Sequence, residues 1–139
     1  MILADTGFFL ALIVRTDTHH GRAVSALQQH AHEGLMTTWP VLCETLERLQ
    51  SAGASPLGCA LLASVEAGAV QVFELEPEHL RRMIELIGAR REPALDLADA
   101  SLWVCAEATG EHRILSAAPP NATPQRWKRR KPFKNLLTA

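Results

Sequence analysis

Apolar positions along this chain come as short runs separated by longer stretches of helical spacing. Residues 2–4 (Ile2, Leu3, Ala4) are a short apolar run of the kind a buried strand needs. Residues 6–14 follow with apolar side chains around most of a helical circumference, which predicts a buried helix broken at Arg15-Thr16-Asp17-Thr18. Thr18 is placed to cap a helix over about 19–33, where Ala23, Val24, Leu27 and Ala31 recur at helical spacing and Gly34 supplies the stop. A second strand is expected at 35–37. Pro40 suits the first turn of a helix that runs to about Ala52, and Ser55-Pro56 opens another that ends near Gly68. Residues 69–75 alternate weakly and read as a third strand. Pro77 starts a helix to about Arg90, in which Leu80, Met83, Ile84 and Ile87 form a core stripe. A helix from Asp96 to about Thr109 stops at Gly110. A fourth strand covers 113–116, and 133–137 reads as a last, edge strand.

Strands separated by one or two helices imply parallel pairing with helices on both faces. The expected class is therefore α/β, a three-layer sandwich around a central parallel sheet of four to five strands. A length of 139 residues suits one domain spanning 1–139. Residues 117–132 hold Pro119, Pro120, Pro124 and Pro132 without periodicity and read as a Pro-rich, basic loop within that domain, long enough to suggest a function.

Composition narrows the class. The chain is 47% hydrophobic and 21% charged, values of a globular rather than a disordered protein. No apolar run reaches the roughly 20 residues of a membrane span. The apolar start lacks a basic segment and contains Asp5, which argues against a signal peptide. Cys43, Cys59 and Cys105 form no CxxC pair, and the expectation is three reduced, buried thiols in a cytoplasmic protein. A net charge of -1 conceals an asymmetry: Arg126, Lys128, Arg129, Arg130, Lys131 and Lys134 lie beyond the last acid, Glu111. A basic tail beside an acidic body suits phosphate binding, a lid over the acidic surface, or simple solvation. Trp127 within it is placed either to stack on a base or to make a core or dimer contact.

The candidate chemistry lies in carboxylates. Asp5 stands at the tip of the first strand, Glu44 in the early turns of the helix after the second, and Asp99 in the first turn of the helix that Asp96 begins. Parallel strands bring their carboxyl ends to one edge, where open α/β sheets bind ligands. Two carboxylates about 4 Å apart repel by roughly 4 kcal/mol at an effective dielectric of 20. A cluster of them therefore calls for a cation or a shared proton. Oxygen ligands without His or Cys favour Mg²⁺ or Mn²⁺. Each acid also has a plainer role: Asp5 as a helix cap, Glu44 as a helix-dipole partner, Asp96 as the N-cap with Asp99 behind it. Asp96 reads mainly as the cap and Asp99 as the inward ligand. His19 and His20 precede a helix, and His30 and His32 close it on different faces, with no ligand pattern.

The segments MILADTGFFLAL, TTWPVLCE, LDLADASL, RILSA and KPFKNLL together resemble a PIN domain of the VapC-toxin type, in order and spacing over essentially the whole chain. That resemblance implies a metal-dependent ribonuclease of a toxin–antitoxin system, typically a homodimer, restrained by a cognate antitoxin. It places the family's catalytic and metal-binding acids on Asp5, Glu44 and Asp99, with Asp96 a possible substitute ligand and Thr6 and Ser116 in support. Arg126, Lys128, Arg129, Arg130 and Lys131 become candidates for holding RNA phosphates. One anchor departs from the pattern. Where the family places a carboxylate after Ile-Leu-Thr-x, this chain has Ala118, so a second metal position lacks its ligand. The alternatives are a weakened or inactive RNA- or antitoxin-binding member of the same fold and, more remotely, a receiver-type signalling domain. The latter needs a lysine after a late strand, and here every lysine lies in the tail.

Overall fold

The computed structural model describes residues 1–89, 94–117 and 133–137. Strands β1 (Ile2–Ala4), β2 (Leu35–Thr37), β3 (Val70–Val72), β4 (Arg113–Leu115) and β5 (Lys134–Asn135) form one sheet in the order β3-β2-β1-β4-β5. Every pairing is parallel, with Leu3 opposite Met36 on one side and Ile114 on the other. Among the described residues, six α-helices flank it: α1 (Thr6–Ile13), α2 (His20–His30), α3 (Trp39–Ser51), α4 (Ser55–Glu66), α5 (Leu80–Gly88) and α6 (Leu97–Thr109). The expected class and strand number hold.

The central strand β1 is wholly buried, as are Ile114 and Leu115 beside it. Phe8 and Phe9 of α1, Val41 and Leu42 of α3, and Leu102 to Ala106 of α6 pack in the same core. Helix ends follow the predicted chemistry. Gly34 and Gly110 take φ of 76° and 79°, a region that costs a side chain with a Cβ, and each ends a helical segment. Pro40 lies in the first turn of α3, where no amide hydrogen is missed.

Several expectations change. Thr18 does not cap α2: the N-cap is His19, whose amide donates to Asp17 Oδ1 at 2.8 Å, so a short carboxylate turns the chain instead. The α2 helix also ends at His30, and Ala31–Glu33 tightens into a 3₁₀ turn. Strand β3 covers only three of the residues 69–75. The core stripe assigned to α5 is divided. Met83 and Leu86 point into the core, whereas Leu80, Ile84 and Ile87 are 57%, 53% and 41% exposed. The apolar residues share one broad side of that helix, and packing buries only its Met83 and Leu86 edge. The cysteines are not all buried: Cys105 is, but Cys43 and Cys59 lie on the outer sides of α3 and α4.

At the amino ends of the strands, Arg113 binds Glu33 through Nη1 at 2.6 Å and Glu111 through Nη2 at 2.9 Å. His30 Nδ1 meets the other Glu33 oxygen at 3.0 Å. These contacts, first His30 and then Arg113, hold the Glu33 carboxyl down at about 2 against an ordinary 4.5. A depressed carboxyl stabilises the fold fully above its unfolded value and loses that contribution as the pH falls towards the folded one. The thermal midpoint should therefore drop as pH is lowered from about 4.5 to about 2, and Glu33→Gln should flatten this limb. Differential scanning calorimetry across the window checks it; parallel acid limbs for both proteins would remove Glu33 from the account.

Candidate active site

The carboxyl ends of β1, β2 and β4 open on a pocket of about 360 Å³. Its lining includes Asp5, Thr6, Glu44, Arg48, Asp96 and Asp99. Asp17, His19 and Ala117 reach it as well. All the acids singled out from the sequence thus face one space, although they come from three separate segments.

Asp5 is both a cap and a pocket acid. Its Oδ1 accepts from the Phe8 amide at 2.9 Å, which satisfies an orphan donor at the start of α1. Its Oδ2 accepts a short hydrogen bond from the Ser116 hydroxyl at the end of β4. Burial pushes the Asp5 carboxyl up to about 6 from 3.8; the bonds from Ser116 and Phe8 work against this rise, and the nearby charge of Glu44 adds to it. Ser116 is itself pinned. Its amide donates to Asn135 Oδ1 at 3.1 Å, and its carbonyl accepts from Asn135 Nδ2 at 2.8 Å. A residue of the edge strand β5 thereby fixes the hydroxyl that holds Asp5.

Glu44 faces the pocket with both oxygens engaged. Thr6 Oγ1 donates to Oε2 at 2.9 Å, and Arg48 Nη2 donates to Oε1 at 2.7 Å. Asp96 and Asp99 form a capping box at the head of α6. Asp96 Oδ1 accepts from the Asp99 amide at 2.8 Å, and Asp99 Oδ2 accepts from the Asp96 amide at 3.3 Å. Burial first, then the charges of Asp96 and Glu44, raises the Asp99 carboxyl well above the carboxylate range. Asp96 is the cap, as expected, and Asp99 serves both the cap and the pocket.

The acids offer only oxygen donors, and burial, with the charges of neighbouring acids added, raises the Asp5 and Asp99 carboxyls. That chemistry fits a hard divalent cation. Among the described residues, however, no three His, Cys, Asp or Glu side chains converge as a ready ligand cage. Protein donors already bind oxygens of Asp5, Glu44 and Asp99. Ser116 bonds Asp5, whereas Thr6, expected to support that first acid, donates to Glu44 instead. Ala118 and the basic residues Arg126, Lys128, Arg129, Arg130 and Lys131, with Trp127, lie outside the described residues. Lys134 of the same tail is exposed in β5, its amide bonded to the His112 carbonyl at 2.9 Å.

Sequence reasoning missed Arg48, which lines the pocket, and Asn135, which holds Ser116 behind it. Arg48 stands four residues after Glu44, a spacing that signals an ion pair but gives no hint that the acid faces a pocket. Asn135 falls inside the KPFKNLL anchor, yet its partner Ser116 is 19 residues away.

No protein-family model matches the sequence, and no curated protein does. Solved structures do match. The crystal structure of Mycobacterium tuberculosis VapC20, described as a sarcin-ricin loop cleaving toxin, is similar over 85% of this chain and 90% of its own, with 22% identity and a TM-score of 0.76. The five parallel strands, the flanking helices and this extended likeness agree, and the chain has the PIN-like fold of a VapC toxin.

Proposed function

We propose that this protein is a divalent-metal-dependent endoribonuclease of a toxin–antitoxin system. The observation that carries the reading is the place of Asp5, Glu44 and Asp99 in the lining of one pocket at the carboxyl edge of the sheet. The fold shared with VapC20, a toxin that cleaves the sarcin-ricin loop, supports it. By the same reading the protein works in the cytoplasm as a homodimer and is restrained by a cognate antitoxin. No helix among the described residues is long and apolar enough to cross a membrane.

Asp5, Glu44 and Asp99 would hold Mg²⁺ or Mn²⁺, with Asp96 one turn away. Such an ion lowers the pKa of a bound water and offsets phosphoryl charge. The chain's own residues supply the rest. Ser116 and the Phe8 amide fix the Asp5 carboxylate, and Thr6 fixes Glu44. Locked acids hold their positions as charge develops on the phosphate, so little reorganisation is needed at that moment. Single-stranded RNA incubated with Mn²⁺ should yield fragments, whose formation a chelator prevents and Glu44→Gln abolishes. RNA left intact in Mn²⁺ would defeat the nuclease reading.

Ala118, where the resemblance expects an acid, favours a second reading: a weakened or inactive member of the fold that binds RNA or an antitoxin. Ala118→Asp separates the two. A large gain in cleavage marks the natural chain as a crippled enzyme, whereas full activity without the substitution shows the fourth acid to be dispensable.

A further inference from the structure

Arg48 is a base among acids in the pocket. Its Nη2 donates to Glu44 Oε1 at 2.7 Å, while the other Glu44 oxygen is held by Thr6. The two ends of this contact differ. The Arg48 side chain is 60% exposed and the Glu44 side chain 27%. A pair four residues apart on a solvated helix face usually adds little to stability and exchanges freely with water. Here the acid is turned towards Asp5 and Asp99, so the guanidinium is a counter-cation at the mouth of an acidic pocket.

Resting on the metal-dependent reading above, we infer that Arg48 is a positioning residue with two alternating partners, Glu44 in the metal-free protein and a phosphate of RNA in the loaded one. A divalent cation on Oε1 and a guanidinium on the same atom exclude each other, because like charges at contact distance repel. Loading the pocket therefore weakens the hold of Glu44 on the guanidinium and favours its release. Its stem keeps it at the pocket rim, and its planar fork of donors matches a phosphate. One residue then both lowers affinity for the free ion and contributes to holding the substrate.

Two measurements on the full chain test this, using Arg48→Gln and the charge-preserving Arg48→Lys. Isothermal titration with Mn²⁺ alone should give Arg48→Gln an affinity about threefold to tenfold tighter than wild type, because a competing positive charge is gone. Fluorescence anisotropy of a short labelled 2′-O-methyl RNA in Mn²⁺ should show weaker binding to Arg48→Gln. The slope of log affinity against log salt should be shallower by about 0.7, one phosphate contact on a single strand. Arg48→Lys should restore the slope. A purely structural ion pair would leave the salt slope unmoved, since it makes no phosphate contact. Equal or weaker Mn²⁺ binding by Arg48→Gln, or an unchanged slope, overturns the inference and leaves the metal reading standing. Absence of Mn²⁺ binding to both wild type and Arg48→Gln overturns both.

Discussion

Asp5→Asn should make the metal-free protein more heat-stable while it removes divalent-ion binding and cleavage. The folded state holds the Asp5 carboxyl at about 6 rather than 3.8, so ionising it at neutral pH costs the fold on the order of 2 kcal/mol. Asparagine removes that charge and keeps both contacts. Its side-chain oxygen accepts from the Phe8 amide, since asparagine is as good a cap as aspartate. Its amide group then faces Ser116, whose hydroxyl can turn to accept. The thermal midpoint should rise by roughly 5 °C at pH 7, taking a scale of about 3 °C per kcal/mol. A group with a raised carboxyl pKa destabilises the fold above its folded value, so the gain should shrink as pH falls through about 6 and vanish below 3.8. Function should move the opposite way. A lost ligand should cut cleavage on the order of a thousandfold, equivalent to about 4 kcal/mol of transition-state stabilisation. Calorimetric titration with Mn²⁺ should find no binding to the variant. In wild type, affinity should weaken as pH falls through about 6, where protons compete for Asp5. A variant less stable than wild type at pH 7 would show that Asp5 is chiefly a structural cap.

The largest loss of stability is expected from Phe8→Ala. Phe8 is fully buried in α1 and packs beside Phe9, with ring centroids 5.8 Å apart. Its removal leaves a cavity that the close-packed strands around it cannot collapse to fill, at a cost of about 3–5 kcal/mol. Against a typical total of about 5–15 kcal/mol, that is a large share, and the thermal midpoint should fall by roughly 10 °C or more. Ile84→Ala is the matched control, because Ile84 is 53% exposed. Its effect should stay within about 0.5 kcal/mol. Urea denaturation of the two variants decides the matter. Comparable losses would mean that the outer side of α5 is covered in solution.

The contrast between those positions shows what the sequence could disclose. Alternation of apolar runs and helical stretches was enough for the parallel α/β sheet, because βαβ connections leave few other arrangements. Gly34, Pro40, Asp96 and Gly110 marked boundaries through local backbone chemistry, which neighbouring residues decide. The part of the α5 apolar stripe that faces inward was not legible, since Leu80, Met83, Ile84, Leu86 and Ile87 share one side of the helix and only tertiary packing chooses among them. Thr18 lost its capping role to a turn at Asp17 for a similar reason: two short polar side chains competed for the same amides. Three pocket acids were legible because strand ends have a common edge. Arg48 and Asn135 were not, because each acquires its role through a partner whose orientation the fold determines.

The bond network around Ser116 has a consequence for synthesis. Asn135, which pins the serine that holds Asp5, is made 130 residues after that acid. At about 5–20 residues per second, the acid waits roughly 6–26 seconds for its final support. A half-made chain thus carries Asp5 without the clasp that sets its orientation. On the nuclease reading proposed above, cleavage competence waits until β5 is made and Asn135 clasps Ser116.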